Sequence, residues 1–249
     1  METLNATQTA SVIASVIGSI GSSYMLDPDT TAAGVAAGYP NGFCFYVAGR
    51  GGVLGDVDAD VVYSAFMFFE RGLLEKLWKQ GVALEGARAA GKRYMTACDD
   101  WGRKHLGGVP DLEEFIAPAE KLVASLDASG LSLFAGLRAE PLPTDSPARA
   151  YRLITLLREL RGGYHIAAVI TYGLTGLEAT ITGSGEGTAK SHGWQPPYAD
   201  MSGLTAQRAA AEKATGDAMA RAISRALTSQ EMNELAVQTQ RLEAKLAAK

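Results

Sequence analysis

The run Leu156-Leu157-Arg158-Glu159-Leu160-Arg161-Gly162-Gly163-Tyr164-His165-Ile166-Ala167-Ala168 decides how this chain is read. Apolar positions recur at helical spacing on both sides of Arg161-Gly162-Gly163, and the same periodicity returns along almost the whole sequence. No stretch sustains the alternation of a half-buried strand, so the fold class is mostly α. The glycines predict a corner between a helix over Ala148 to Leu160 and another from Tyr164 to about Leu177. Such a corner would gather the Arg161 guanidinium, exposed backbone N–H groups at Gly162 and Gly163, and the titratable His165, a constellation suited to an anion and a proton. The plainer alternative is a helix-helix corner in which Arg161 caps carbonyls and His165 is a satisfied core histidine.

With 249 residues, 47% hydrophobic and 20% charged, the chain is long enough to bury a full core as one large domain or two small ones. The net charge of −4 and the absence of any Lys/Arg block argue against nucleic acid as a partner. Cys44 and Cys98 lack metal-site spacing and read as buried thiols in a reducing compartment, with the cytoplasm as the expected location. The apolar run from Ser11 to Gly18 is too short to span a bilayer, and Glu2 stands where a signal peptide carries a basic residue. It predicts a first amphipathic helix within Met1 to Gly21, with Val12, Ile13, Val16, Ile17 and Ile20 on one face.

Further along, Asp27-Pro28-Asp29 caps a short helix, and Arg50-Gly51-Gly52-Val53-Leu54-Gly55 reads as a loop. Asp56, Asp58 and Asp60 crowd the first turn of an expected long helix to about Gln80, and a further helix from Leu84 ends at Gly107-Gly108. The polar, proline-containing stretch Ala139 to Pro147 separates an N-terminal helical half, residues 1–138, from a C-terminal half, 148–249. The second half contains an expected long loop at 181–203 and an Ala-rich helical tail broken near Thr228-Ser229. The Leu235, Leu242 and Leu246 stripe on that tail either docks on the body or pairs with a second copy in a homodimer. Arg50-Gly51-Gly52 and Arg161-Gly162-Gly163 each lead toward an apolar helix, a short echo consistent with an internal pseudo-repeat.

Two segments together resemble the SalK-like proteins of actinobacteria, which carry a helix-turn-helix label. One is Phe45-Tyr46-Val47-Ala48-Gly49-Arg50 through Gly55 to Val62; the other is the Leu156 to Ala168 run. The resemblance implies a two-part helical fold with winged-helix character and a setting in specialised metabolism. This chain has Leu160 where the family pattern has His, Gly163 where it has Asp, and Ile20 at the place of an early His. It also offers a proline-containing loop where the resemblance places a helix-turn-helix segment, between Gly185 and Gly203.

The candidate site comprises Arg161 and Arg50 as anchors for an anionic or carbonyl group, Gly162 and Gly163 as exposed backbone, and Tyr46 and Tyr164 as shaping groups. His165 is the candidate acid/base, and Glu70, beside the Phe66 and Phe69 stripe, a second carboxylate base. The alternate spacing of Asp56, Asp58 and Asp60 fails the calcium-loop pattern, because Val61 and Met67 occupy its glycine and glutamate positions. Ser184 to Ser191 lacks both glycines of a phosphate-binding loop, and the scattered histidines give no zinc set, so no metal and no cofactor is expected. The function expected is a small-molecule-binding helical protein, with cofactor-independent acid/base or positional catalysis on an apolar ligand. A winged-helix DNA-binding regulator and a partner-binding helical dimer are the alternatives.

Overall fold

The first three helices each start at a local cap. Asn5 and Gln8 close a capping box ahead of α1 (Ala6–Ile20), Asp27 accepts from Asp29 N before α2 (Pro28–Ala36), and Asn41 accepts from Cys44 N before α3 (Gly42–Gly52). These details come from a computed structural model that describes residues 4–247, so Met1 to Thr3 of the expected first helix and the last two residues of the tail lie outside it. The middle of the chain forms α4 (Ala59–Phe66), α5 (Arg71–Glu85), α6 (Ala87–Leu106), α7 (Glu113–Ser125) and α8 (Ser132–Arg138). Then come α9 (Ser146–Thr171), α10 (Gly176–Ser184), α11 (Glu186–Ser191), a 3-10 turn at Ser202–Leu204, α12 (Thr205–Ala226) and α13 (Ser229–Ala247). The fold is all-α; among the described residues there is no strand, and therefore no β-hairpin to form a wing.

The architecture is organised on α9. It runs unbroken through Arg161-Gly162-Gly163, where the sequence predicts a corner. Two glycines inside a helix cost about 1 kcal/mol each relative to alanine, but this helix is buried on nearly all sides. It packs against α6, α7, α8, α12 and α1, and that burial decides its conformation. Gly163 also has a packing reason, since a Cβ there would fall 2.6 Å from Leu131 Cδ2. The main cluster of buried side chains extends from Ala10 to Leu242, and a smaller one gathers Ala168, Val169, Leu174, Ala179 and Ala211.

Other expectations are corrected by the same logic. Arg50-Gly51-Gly52 is the last turn of α3 rather than a loop, and it does not match the mid-helix Arg161-Gly162-Gly163, so the echo marks no equivalent corners. The helix expected from Asp56 to Gln80 is two, broken at Met67 to Glu70, where Glu70 accepts from Gly72 N and Leu73 N and starts α5. The loop expected at 181–203 contains the end of α10 and all of α11. The Leu235 and Leu242 stripe docks within the chain, as α13 lies on α1 and α7, so it offers no free face for a second copy. No single described helix is long and apolar enough to cross a membrane; the bent pair α9 and α10 passes that test by length and composition, with α9 in the core.

The α3–α6 crossing is made close by glycine. A Cβ on Gly52 would lie 2.2 Å from the Ala87 carbonyl oxygen and 2.7 Å from Gly91 N, and one on Gly49 would lie 2.3 Å from Tyr94 Cβ. Backbone atoms cannot yield as a side-chain tip does. Gly52→Ala should therefore destabilise the chain by about 1–3 kcal/mol, read as a lower urea midpoint, whereas Gly18→Ala, which meets open space, should leave the midpoint unchanged or raised.

Candidate functional site

A cavity of about 480 Å³ opens between α3, the α4–α5 break, α8, α9, the α10–α11 segment and α12. Tyr46, Arg50, Arg161, Gly162, Gly163 and His165 all line it, so the two arginines of the sequence echo share one space. Tyr164 points elsewhere, half-buried against the main core. Glu70 is also outside the lining and spends both carboxylate oxygens on backbone N–H groups, which is a helix cap and not a base.

Four guanidinium groups face the cavity, from Arg50, Arg158, Arg161 and Arg208, against two carboxylates, Glu159 and Glu212. They form two clusters, each a carboxylate between two arginines. In the first, Arg50 Nε and Nη2 both donate to Glu159 at 2.8 Å, and Arg158 Nη1 donates to it at 3.0 Å. Arg50 Nη1 also donates to Tyr46 Oη at 3.2 Å, and its guanidinium carbon lies 4.4 Å from the Phe66 ring centre. Burial opposes the Glu159 charge, but Arg50 and Arg158 outweigh it and hold the carboxyl below its ordinary range. The second cluster has Arg161 Nη2 donating to Glu212 at 2.6 Å, with Arg208 Nη1 2.7 Å from the other carboxylate oxygen.

His165 is buried beside the second cluster. Its Nδ1 lies 3.0 Å from Thr215 Oγ1, and Thr215 donates its own hydroxyl proton to the Ala211 carbonyl at 2.7 Å. The hydroxyl therefore has only lone pairs for the imidazole, which fixes the proton on Nδ1 and leaves Nε2 as the basic nitrogen. Nε2 lies 3.8 Å from Glu212. Burial, helped by Arg208 and Arg161 and opposed by Glu212, lowers the imidazole to about 4, so it is neutral at pH 7.

His192 repeats this arrangement from the other side. Its Nδ1 donates to the Phe68 carbonyl at 3.2 Å, its ring stacks on Phe69, and burial lowers its pKa. The Phe68 carbonyl also accepts from Trp194 Nε1 at 3.0 Å, and Glu70 N donates to the His192 carbonyl at 2.8 Å. The α4–α5 break is thus pinned by the segment after α11, and its two phenylalanines carry one histidine each, since Phe68 stacks on His165.

Glu159, Arg158, Arg208, Glu212 and His192 escape the sequence reading. Glu159 carries a signal, a lone acid between Arg158 and Arg161 in a helix that becomes buried. Arg208 and Glu212 stand four apart on an Ala-rich helix and look like an ordinary solvated pair. Among the described residues no group of three or more potential ligands could hold a metal ion.

The chain matches a helix-turn-helix family over residues 10–249 and belongs to that family. No curated protein and no solved structure matches it significantly.

Two outcomes are expected of the charged groups. Glu159→Gln removes the partner of a buried guanidinium and should destabilise the chain by about 3–5 kcal/mol, measured by denaturant titration. The folded value of His165, about 4, lies below its ordinary 6.5, so the unfolded chain takes up the proton first as pH falls. Stability should fall between those two values by up to about 1.4 kcal/mol per pH unit. His165→Gln should remove that slope and leave the smaller one of the same sign from His192, seen in melts across the range.

Proposed function

We propose that the chain binds a small, largely apolar organic anion in the cavity between its N-terminal and C-terminal halves, and that His165 Nε2 serves as a general base toward it. The supporting observation is the charge balance of the cavity, four guanidinium groups to two carboxylates with neutral imidazoles. Two unneutralised cations at about 6 Å from an anion, in a medium of effective dielectric ~20, each contribute about 3 kcal/mol of attraction. That is the scale of micromolar to millimolar binding. Phe66, Phe134, Leu131 and Leu133 supply the apolar walls. In this reading Arg161 anchors the ligand, Arg50 and Glu159 hold the wall together, and Tyr46 is oriented by Arg50.

A base of low pKa is a weak proton acceptor from a strong C–H or O–H acid, so the reaction class is one in which the proton is already acidified by a neighbouring carbonyl. No cofactor is needed for such a step. The resemblance to SalK-like proteins, with their setting in specialised metabolism, is consistent with this reading.

Family membership favours a second reading, DNA binding by a regulator whose cavity senses a ligand. The segment where the resemblance places the helix-turn-helix contains α11, only six residues long and joined to the α4–α5 break, which is short for a major-groove helix.

Thermal melts with a panel of carboxylates, acyl thioesters and aromatic polyketides separate the readings. A ligand should raise the wild-type melting point and lose that effect in Arg161→Ala. Salt-sensitive binding to duplex DNA, with no ligand shift, would favour the regulator instead.

A further inference from the structure

His192 commits every hydrogen-bonding group it has except one. Its backbone N–H closes the end of α11 on the Thr188 and Ala189 carbonyls, and its own carbonyl accepts from Glu70 N at 2.8 Å. Its Nδ1 meets the Phe68 carbonyl, and its ring stacks on Phe69 with the ring centres 4.3 Å apart. The next residue fixes the backbone, since Gly193 sits at φ +95° and a Cβ there would fall 2.6 Å from Leu73 Cδ2 and 3.2 Å from Glu70 Cβ. Nε2 is the exception. It bonds to no described residue, it is not one of the partnerless polar atoms sealed in the interior, and its residue lines the cavity.

The partner of Nδ1 decides what Nε2 can do. A carbonyl oxygen only accepts, so the imidazole proton stands on Nδ1 and Nε2 presents a lone pair. Burial works against a second proton on the ring. A carboxylate, ketone or ether oxygen placed on Nε2 would set lone pair against lone pair, so the group that fits is an O–H or N–H donor. The four guanidinium groups of the cavity, by contrast, have only donors to offer and ask for an anion. An ammonium donor would be repelled by that arginine surplus, which leaves a neutral hydroxyl. Phe66, Phe68, Phe69 and Phe134 line the same space and suit a flat ring. A phenolic hydroxyl is more acidic than an alkyl one and is therefore the stronger donor to a neutral imidazole.

We propose that His192 is the hydroxyl-recognition residue of the cavity, its Nε2 accepting a hydrogen bond from the ligand, and that the ligand class is a phenolic carboxylic acid. This rests on the reading of the cavity as an anion site and names the second group by which that site selects. The carboxylate belongs to the arginine surplus, the ring to the phenylalanine walls and the hydroxyl to His192.

Calorimetry on the full chain with benzoate, meta- and para-hydroxybenzoate and their methoxy counterparts tests the assignment. The hydroxybenzoate whose hydroxyl reaches Nε2 should bind wild type about tenfold more tightly than benzoate or its own methoxy ether, which cannot donate. His192→Asn keeps an N–H for the Phe68 carbonyl and has no counterpart of Nε2. It should bind benzoate as wild type does and lose the preference for the hydroxyl. A long-range nitrogen–proton spectrum of wild type gives a readout that needs no variant and carries the test if His192→Asn fails to fold. The His192 Nε2 signal should lie in the unprotonated range and move further with the hydroxybenzoate than with benzoate. Equal affinity of benzoate and both hydroxybenzoates for wild type would overturn the ligand class while leaving the cavity reading intact. A hydroxyl preference that survives in His192→Asn, or a proton found on Nε2, would overturn the role of His192. Binding of none of these acids by wild type would overturn the cavity reading together with this assignment.

Discussion

The buried pair of Arg50 and Glu159 is the constraint on which the site depends. α3 and α9 both pack on α6, and Arg50 reaches across to α9 with two parallel hydrogen bonds of 2.8 Å. One desolvated carboxylate in the central helix would be intolerable alone. Its neutralisation therefore fixes the position of α3, the orientation of Tyr46 through Arg50 Nη1, and the Phe66 ring that lies against the guanidinium. Those groups form one wall of the cavity. A hydrophobic pair of the same volume would pack as well, but would leave neither a wall of fixed polar geometry nor the surplus guanidinium of Arg158 at its rim.

Most of the helices are legible because their signals are local. Asp27 and the Gly107 stop act within a turn of the helix they bound, and the apolar face of α1 is read directly from spacing. Sequence reading fails where long-range contacts outweigh local preference. Gly162 and Gly163 look like a breaker, yet α9 is surrounded by five helices and stays helical. The reverse holds at Met67 to Glu70, where periodicity runs on but the chain breaks. There the Phe68 carbonyl is held by His192 and Trp194, residues more than a hundred positions away. Neither fact is encoded in a window of a dozen residues.

The candidate site shows the same division. Arg50, Arg161 and His165 stand out because arginine beside paired glycines and a histidine in an apolar run are conspicuous. Their counter-ions do not, because Glu159 and Glu212 acquire meaning only when α3 and α12 come alongside α9. Glu70 misleads for a related reason. A carboxylate next to an aromatic stripe reads as buried, but the break before α5 turns it into a cap whose oxygens are already engaged.

The neutrality of His165 follows first from its burial, and the arginines around it add to the effect. Burial removes water from the imidazolium, and Arg208 and Arg161 oppose a further positive charge, while the single Glu212 cannot offset all three. An anion entering the cavity would change that balance. On the proposed reading, an anion held by the cavity arginines offsets part of the positive charge that opposes protonation, so the basicity of His165 Nε2 rises as it binds. The imidazole would then be least basic in the empty cavity and most basic with an anion beside it. On the same reading, burial and the arginine surplus that would attract an anion together keep the imidazole free of a proton until the anion is bound.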